Sequence, residues 1–341
     1  MGTTYRGFEN EHRLLKLLGK EGILHDVVNE VNNEKNEFWM GMRNKNTVMI
    51  YYKGGKILEI SPTGLLSFDN NYIKEEERNK IPGVFNDVGD WLSKKEIIKE
   101  AISKRQQGEE GKQGREKIVQ QEIMVKNNKN IKSDWFLVDM EYSSVKNAQK
   151  YGRFDMIALS REKNKNGKYT IGIIELKAGI DAINGVEAKR DSNNKIIGID
   201  GKGSGIDGHI KKVYDFLYDN NAKSNLENLR KEIATIISNY YDLGLNYSIP
   251  KINVDDISAD PQDVAFVLMC ADIVPEEKNE AIKKIRRVIF EKEPGASELC
   301  LESKFAWGSS FDEKFDNLNI SLSIVDKERE IKNDDLIELT K

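Results

Sequence analysis

Between about residues 8 and 32 the apolar positions cluster at helical spacing. Leu14, Leu15, Leu17 and Leu18 supply one face and Gly19 is a stop signal, so one or two short helices are expected. The period then shortens to two. FWMGMR, TVMIYYKG, KILEIS and GLLSF read as short strands separated by Asn-rich or Gly-rich turns, and Lys53-Gly54-Gly55-Lys56 signals a tight hairpin. The pattern predicts an N-terminal α+β module with an antiparallel meander over 1–92. Residues 70–92 are charged and irregular, with a turn at Pro82-Gly83, and mark the boundary to a second unit over 93–341.

Helical spacing returns from Ser93 to about Lys126, with a break near Gly108 to Gly114. Trp135 to Tyr142 alternates as a strand. Phe136, Val138, Met140 and Tyr142 form one face, and Asp139 and Glu141 share the other with Trp135 and Leu137. Two apolar runs follow, YGRFDMIAL and YTIGIIELKAG, split by a polar turn from Lys163 to Gly167. Alternation puts Asp155 on one face with Ile157 and Leu159, and Glu175 and Lys177 on one face with Ile171 and Ile173. Residues 180–205 are rich in Gly, Asn, Asp and Lys and read as a long functional loop, expected to be mobile and to close over a ligand. Helices are expected over about 206–218 and 224–241, then the very apolar strand DVAFVLMCAD. An amphipathic helix, EEKNEAIKKIRRVIF, buries Ala281, Ile285, Val288 and Ile289. SKFAW and NISLSIV are strand-like.

Composition narrows the classes. The 341 residues are 38% hydrophobic and 32% charged, enough for a core under a well-solvated surface, and the net charge is −4. A chain that is not basic overall does not coat nucleic acid, although a local basic groove remains compatible. Cys270 and Cys300 lack metal-ligand spacing, and Cys270 sits in an apolar run where it packs as a small hydrophobe. With no signal peptide and no long apolar span, a cytoplasmic protein is expected. Tyr51, Tyr52, Lys53 and Arg43 are a candidate binding surface on the meander, against ordinary sheet packing and solvated cations.

Burying carboxylates and an ammonium on apolar strands is expensive without partners. E-x-K itself carries little weight here, since it recurs at Glu110, Glu187, Glu276, Glu302 and Glu330. Glu175-Leu176-Lys177 differs in its context. It ends an apolar strand, precedes Ala178-Gly179 and follows a strand carrying Asp155. The order helix, strand, strand with Asp, strand with E-x-K, helix, apolar strand is met at 109–126, 135–142, 153–159, 170–177, 206–218 and 264–270. This order and these residues resemble the PD-(D/E)XK nuclease superfamily over about half the chain. Phe154 stands where the motif has proline, a common variation. The competing reading is an Asp155–Lys177 ion pair with Glu175 at its rim.

The resemblance implies an α/β fold with a restriction-endonuclease-like core, a central mixed sheet flanked by helices. It implies a divalent-metal-dependent nuclease that hydrolyses phosphodiester bonds in DNA, with RNA not excluded. By analogy the setting is bacterial restriction or phage defence, and oligomers are compatible with it. The alternative is an inactive nucleic-acid-binding or protein-interaction module on the same fold. The resemblance makes Asp155 and Glu175 ligands of Mg²⁺ (Mn²⁺ as substitute), with the Leu176 carbonyl as a third, and gives Lys177 the task of orienting or deprotonating the attacking water. A first-helix glutamate often joins them. Glu116 is the candidate, and Glu122 and Glu141 are its rivals. His209 or Lys211 at the start of the next helix is expected to contact the scissile phosphate. Lys189, Arg190, Lys202 and Lys212 are candidates for a phosphate-binding rim, with Lys283, Lys284, Arg286 and Arg287 as a second cationic run.

Overall fold

The computed structural model describes residues 6–33, 37–44, 46–69, 75–107, 109–129, 132–143, 153–183, 187–190, 196–200, 206–290, 319–325, 329 and 331–338. Two short helices, α1 (Arg13–Leu18) and α2 (His25–Asn32), precede an antiparallel meander, as the leucine spacing and the change of period predict. The meander is β1 (Trp39–Arg43), β2 (Thr47–Tyr52), β3 (Gly55–Ile60), β4 (Leu66–Ser67) and β5 (Val84–Phe85), in that order across one five-stranded sheet. A one-turn helix, α3 (Glu75–Arg78), lies between β4 and β5. Two long helices follow, α4 (Val88–Gln107) and α5 (Glu109–Lys129). The boundary expected after residue 92 thus falls inside α4.

The second sheet begins with β6 (Trp135–Tyr142), β7 (Phe154–Lys163) and β8 (Tyr169–Ala178). These three form an antiparallel meander. Beyond β8, the stretch expected as an open loop contains a 3₁₀ turn, Ile180–Ala182, and a hairpin of β9 (Glu187–Arg190) and β10 (Ile196–Asp200). Helices α6 (Ile206–Tyr218) and α7 (Ala222–Asp242) then lead to β11 (Ala265–Ala271), which lies parallel to β8. Helix α8 (Lys278–Phe290) precedes β12 (Asn319–Val325), parallel to β11, and the two-residue β13 (Ile337–Glu338) closes that side. The sheet order is β13-β12-β11-β8-β7-β6, a mixed sheet with helices. SKFAW and Cys300 lie outside the described residues. Ala281 and Ile285 of α8 are fully buried, as expected, while the side chains of Val288 and Ile289 lie outside the description. Among the described residues no helix is long and apolar enough to cross a membrane.

The apolar faces of both sheets join one core. Phe154 of β7 meets Phe216 of α6 edge-on, and Tyr142 of β6 donates to Glu232 of α7 at 2.6 Å. Those contacts fix one face of the sheet against α6 and α7. Alternation then turns Asp155 to the other face. Cys270 is buried in β11, and burial pushes its thiol up to about 12, as suits a packing residue.

The hairpin at Lys53-Gly54 forms as its sequence predicts. Both residues have positive φ, which a two-residue turn of this twist requires. A Cβ on Gly54 would lie 3.0 Å from the backbone of Lys117 and Ile118, so the hairpin tip rests directly on α5. Gly54 N donates to Gln121 Oε1 at 2.6 Å, and Gln121 Nε2 donates to the Glu37 carbonyl at 3.2 Å.

Asp139, on the polar face of β6 as predicted, does not face solvent. It is buried against Arg43 of β1 and pairs with Arg6 Nε at 3.2 Å. Arg43 also stacks on Trp39 and Tyr51 at 5.1 and 5.7 Å and donates to the Met140 carbonyl. Burial disfavours the Arg43 cation, but Asp139 and Tyr51 outweigh it and hold its pKa above the usual value. Tyr240 of α7 donates to the Met40 carbonyl at 2.7 Å, and Asn239 exchanges two hydrogen bonds with the Phe8 backbone. The proposed binding surface is thereby corrected. Arg43 and Tyr52 are buried, Tyr51 packs on Trp39, and Lys53 lies over the Tyr52 ring.

Removing one partner of a buried ion pair strands the other charge. Asp139→Ala is expected to destabilise the protein by about 3–5 kcal/mol, read as a lower urea midpoint at an unchanged slope. A loss under about 1 kcal/mol would show that water reaches the two guanidinium groups.

Candidate active site

Strands β7 and β8 are in register with Met156 opposite Ile174, and continuing that register sets Asp155 beside Glu175. The Leu176 amide donates to Asp155 Oδ2 at 2.8 Å. On the other side, Gln120 of α5 donates to the Asp155 carbonyl, tying the helix to this strand. Glu175 is only 3% exposed and each of its oxygens has a partner. Lys177 Nζ lies 2.5 Å from Oε1 and His209 Nδ1 lies 2.8 Å from Oε2. The second contact places the His209 proton on Nδ1 and leaves Nε2 as the ring's other nitrogen.

The two carboxylates are driven apart electrostatically. Burial, then the charge of Glu175, pushes Asp155 well above the ordinary carboxylate range, and the Leu176 amide only partly opposes this. Burial also works against Glu175, but the His209 hydrogen bond and the Lys177 charge overcome it and hold the group below its usual value. Burial likewise works against the Lys177 cation, and Glu175, with help from Asp155 and Glu116, holds its pKa above the usual value. That direction favours the cationic form of Lys177, a donor and a positive charge beside the two acids.

Of the three candidate glutamates, Glu116 belongs to this cluster. It is half-buried on α5, raised first by burial and then by Glu175 and Glu141, with Lys177 and His209 opposing. Glu122 points elsewhere and pairs with Arg329 at 3.2 Å. Glu141 is bound by Arg153. Leu176 is buried between Glu175 and Lys177 in sequence. Lys189 and Arg190 lie on β9, and Lys211 on α6, but their side chains fall outside the description, as do those of Arg286 and Arg287. Lys202 lies outside the described residues. Lys283 is exposed on α8 and Lys284 partly so.

Formally three acids, Asp155, Glu175 and Glu116, surround one lysine and one histidine, an excess of negative charge in a half-dry place. Hard oxygen donors with that surplus suit a small divalent cation. Among the described residues no group of three or more His, Cys, Asp or Glu side chains converges tightly enough to cage a metal. That is compatible with Mg²⁺, which binds through one or two carboxylates and keeps several waters. Asp155 and Glu175 would hold it, with the Leu176 carbonyl as a further oxygen. Two features escaped the sequence. Gln120 carried no signal beyond its place on α5, and the Arg115–Asp272 ion pair, which flanks this site next to Gly179, joins residues 157 apart.

In the unfolded chain Asp155 ionises near its ordinary value, whereas the folded, metal-free protein retains that proton to higher pH. Its ionisation therefore removes stability as pH rises from the ordinary carboxylate range through the raised folded value. Asp155→Asn keeps an acceptor for the Leu176 amide and deletes the like charge beside Glu175. In chelator at about pH 8 the variant is expected to be more stable by about 1 kcal/mol, roughly 2 °C in Tm, with the gain gone by about pH 4. Thermal unfolding across that range measures it, and a lower Tm for the variant at high pH would show that Asp155 is well solvated.

No protein-family model, curated protein or solved structure matches the chain, so the site is read from its own geometry and chemistry.

Proposed function

We propose that this chain is a divalent-metal-dependent nuclease of the PD-(D/E)XK type, built on a restriction-endonuclease-like core and acting on DNA. The observation that carries the reading is the Asp155–Glu175 pair on adjacent strands, completed by Lys177 two residues on and by Glu116 from the preceding helix. The order helix α5, strands β6 to β8, helix α6 and parallel strand β11 also supports it.

Hydrolysis of a phosphodiester adds a water oxygen to phosphorus and breaks one P–O ester bond, and the leaving oxygen gains a proton. A hard divalent cation at this site supplies charge neutralisation and a more acidic water. Asp155 and Glu175 are the residues that would hold that cation. Lys177, cationic and anchored on Glu175, orients the water through its ammonium and stabilises charge developing on the phosphoryl oxygens. Glu116, with a raised proton affinity, accepts the proton that the water loses. His209 fixes the Glu175 carboxylate with Nδ1. Its role thus shifts from a direct phosphate contact to a positioning residue for Glu175.

A second reading, a non-catalytic nucleic-acid-binding or protein-interaction module on the same fold, is favoured by one feature. Both Glu175 oxygens are already taken by Lys177 and His209, which is how a purely internal ion cluster would close. Cleavage of plasmid and linear DNA in Mg²⁺, measured beside gel retention, separates the two readings.

Asp155→Ala and Glu175→Ala are each expected to abolish Mg²⁺-dependent cleavage and to leave the far-UV spectrum unchanged. Mg²⁺ or Mn²⁺ is expected to raise the Tm of the wild type and of neither variant. Near-wild-type cleavage by purified Asp155→Ala would remove this residue from the site. Lys177→Met keeps the stem and deletes the charge. Under single-turnover conditions it is expected to slow the chemical step roughly 10²-fold or more, with the metal-induced rise in Tm retained. Equal single-turnover rates would exclude that role.

A further inference from the structure

Strands β8 and β11 run parallel and end together, with Ala178 opposite Ala271 and Gly179 N donating to the Ala271 carbonyl at 2.8 Å. The next residue of each strand turns sharply. Gly179 has φ +91, and Asp272 has φ +57, unusual for a residue with a side chain. The turn aims the Asp272 carboxylate at two guanidinium groups. Arg329 Nη2 donates to Oδ1 at 2.6 Å and Arg115 Nε donates to Oδ2 at 2.9 Å.

The two arginines are not equivalent. Arg329 is 14% exposed and also binds Glu122 of α5, so it ties Asp272 to the helix. Arg115 is 55% exposed, and Asp272 is the carboxylate that binds it among the described residues. With Arg329 shared between Asp272 and Glu122, Arg115 is the exposed end of a balanced chain of two cations and two carboxylates. It precedes Glu116 on α5, and its Nη1 lies 3.7 Å from where a Cβ on Gly179 would sit, two residues past Lys177. An exposed ion pair contributes little to stability. A half-exposed arginine held by Nε, with its terminal nitrogens not used by that ion pair, is instead a pre-oriented fork for an oxyanion.

We infer that Arg115, oriented by Asp272 and Arg329, is the phosphate-binding fork of this site and takes a backbone phosphate of nucleic acid next to the scissile bond. This rests on the nuclease reading above. The cluster of Asp155, Glu175 and Glu116 repels a polyanion, and Lys177 is engaged with Glu175. Among the described residues, Arg115 is a cation beside the site that is not committed to those acids. It also gives the substrate strand a direction, from the β8–β11 ends toward the start of α6.

The test is equilibrium binding of a fluorescent duplex oligonucleotide in Ca²⁺ across a range of salt, for wild type, Arg115→Ala and Arg115→Lys. Arg115→Ala is expected to weaken binding roughly tenfold and to lower the salt slope by about 0.9. Arg115→Lys is expected to keep the slope but recover only part of the affinity, because an ammonium lacks the fork. Unchanged thermal unfolding of both variants separates these effects from loss of fold. If Arg115→Ala keeps wild-type affinity and slope while the wild type cleaves DNA in Mg²⁺, the fork assignment is overturned and the nuclease reading stands. If the wild type neither binds nor cleaves, both are overturned.

Discussion

Two carboxylates held side by side at the end of a sheet repel one another, and the groups around β8 are arranged by that repulsion. Asp155 and Glu175 sit on neighbouring strands because the β7–β8 register leaves them nowhere else to go. Glu175 keeps its charge because Lys177 and His209 each occupy one of its oxygens. Asp155 has only a backbone amide and therefore holds its proton more tightly. Folding alone gains nothing from such a pair, since an apolar residue at either position would fill β7 or β8 without the penalty. On the proposed reading, a shared cation would make the arrangement favourable. That asymmetry, unfavourable alone and favourable with a bound cation, is what distinguishes a site from a structural ion pair.

The same chain provides the contrast. Asp139 is as deeply buried as Glu175, yet it faces two guanidinium groups instead of another acid. There the positive charge is in excess, the aromatic rings of Trp39 and Tyr51 flank Arg43, and the cluster joins the N-terminal sheet to β6. Both clusters contain acids on apolar strands. The balance of charge, more than burial, separates the one that holds sheets together from the one that would hold a ligand.

Much of this was legible in the sequence because it is local. Period-two alternation identified β6, apolar runs identified β7, β8 and β11, and a change of period identified the first meander. Alternation alone put Asp155 on one face of its strand and Glu175 and Lys177 on one face of theirs, and the fold brings the three together. The choice of Glu116 over Glu122 and Glu141 was not decidable, because all three lie within reach of the sheet and only the distant Arg329 and Arg153 draw two of them away. Arg43 looked like a surface cation because its partner, Asp139, is 96 residues further along the chain. The β9–β10 hairpin was hidden by glycines and asparagines that normally mark loops, although Ile196, Ile197 and Ile199 were its signal. His209 was singled out for its place near a helix start, but its bond to Glu175 needed the third dimension.

The contact of Gly54 with α5 bears on where this chain tolerates being cut. Gln121 grips two backbone positions of the N-terminal region at once, the tip of the β2–β3 hairpin and Glu37. It does so barely more than one helical turn from Glu116. A shortened version that starts at the long helices would strip the brace from the helix that carries an acid of the site. The N-terminal sheet thus braces the candidate site at a distance, and trimming it is a change to that site's support.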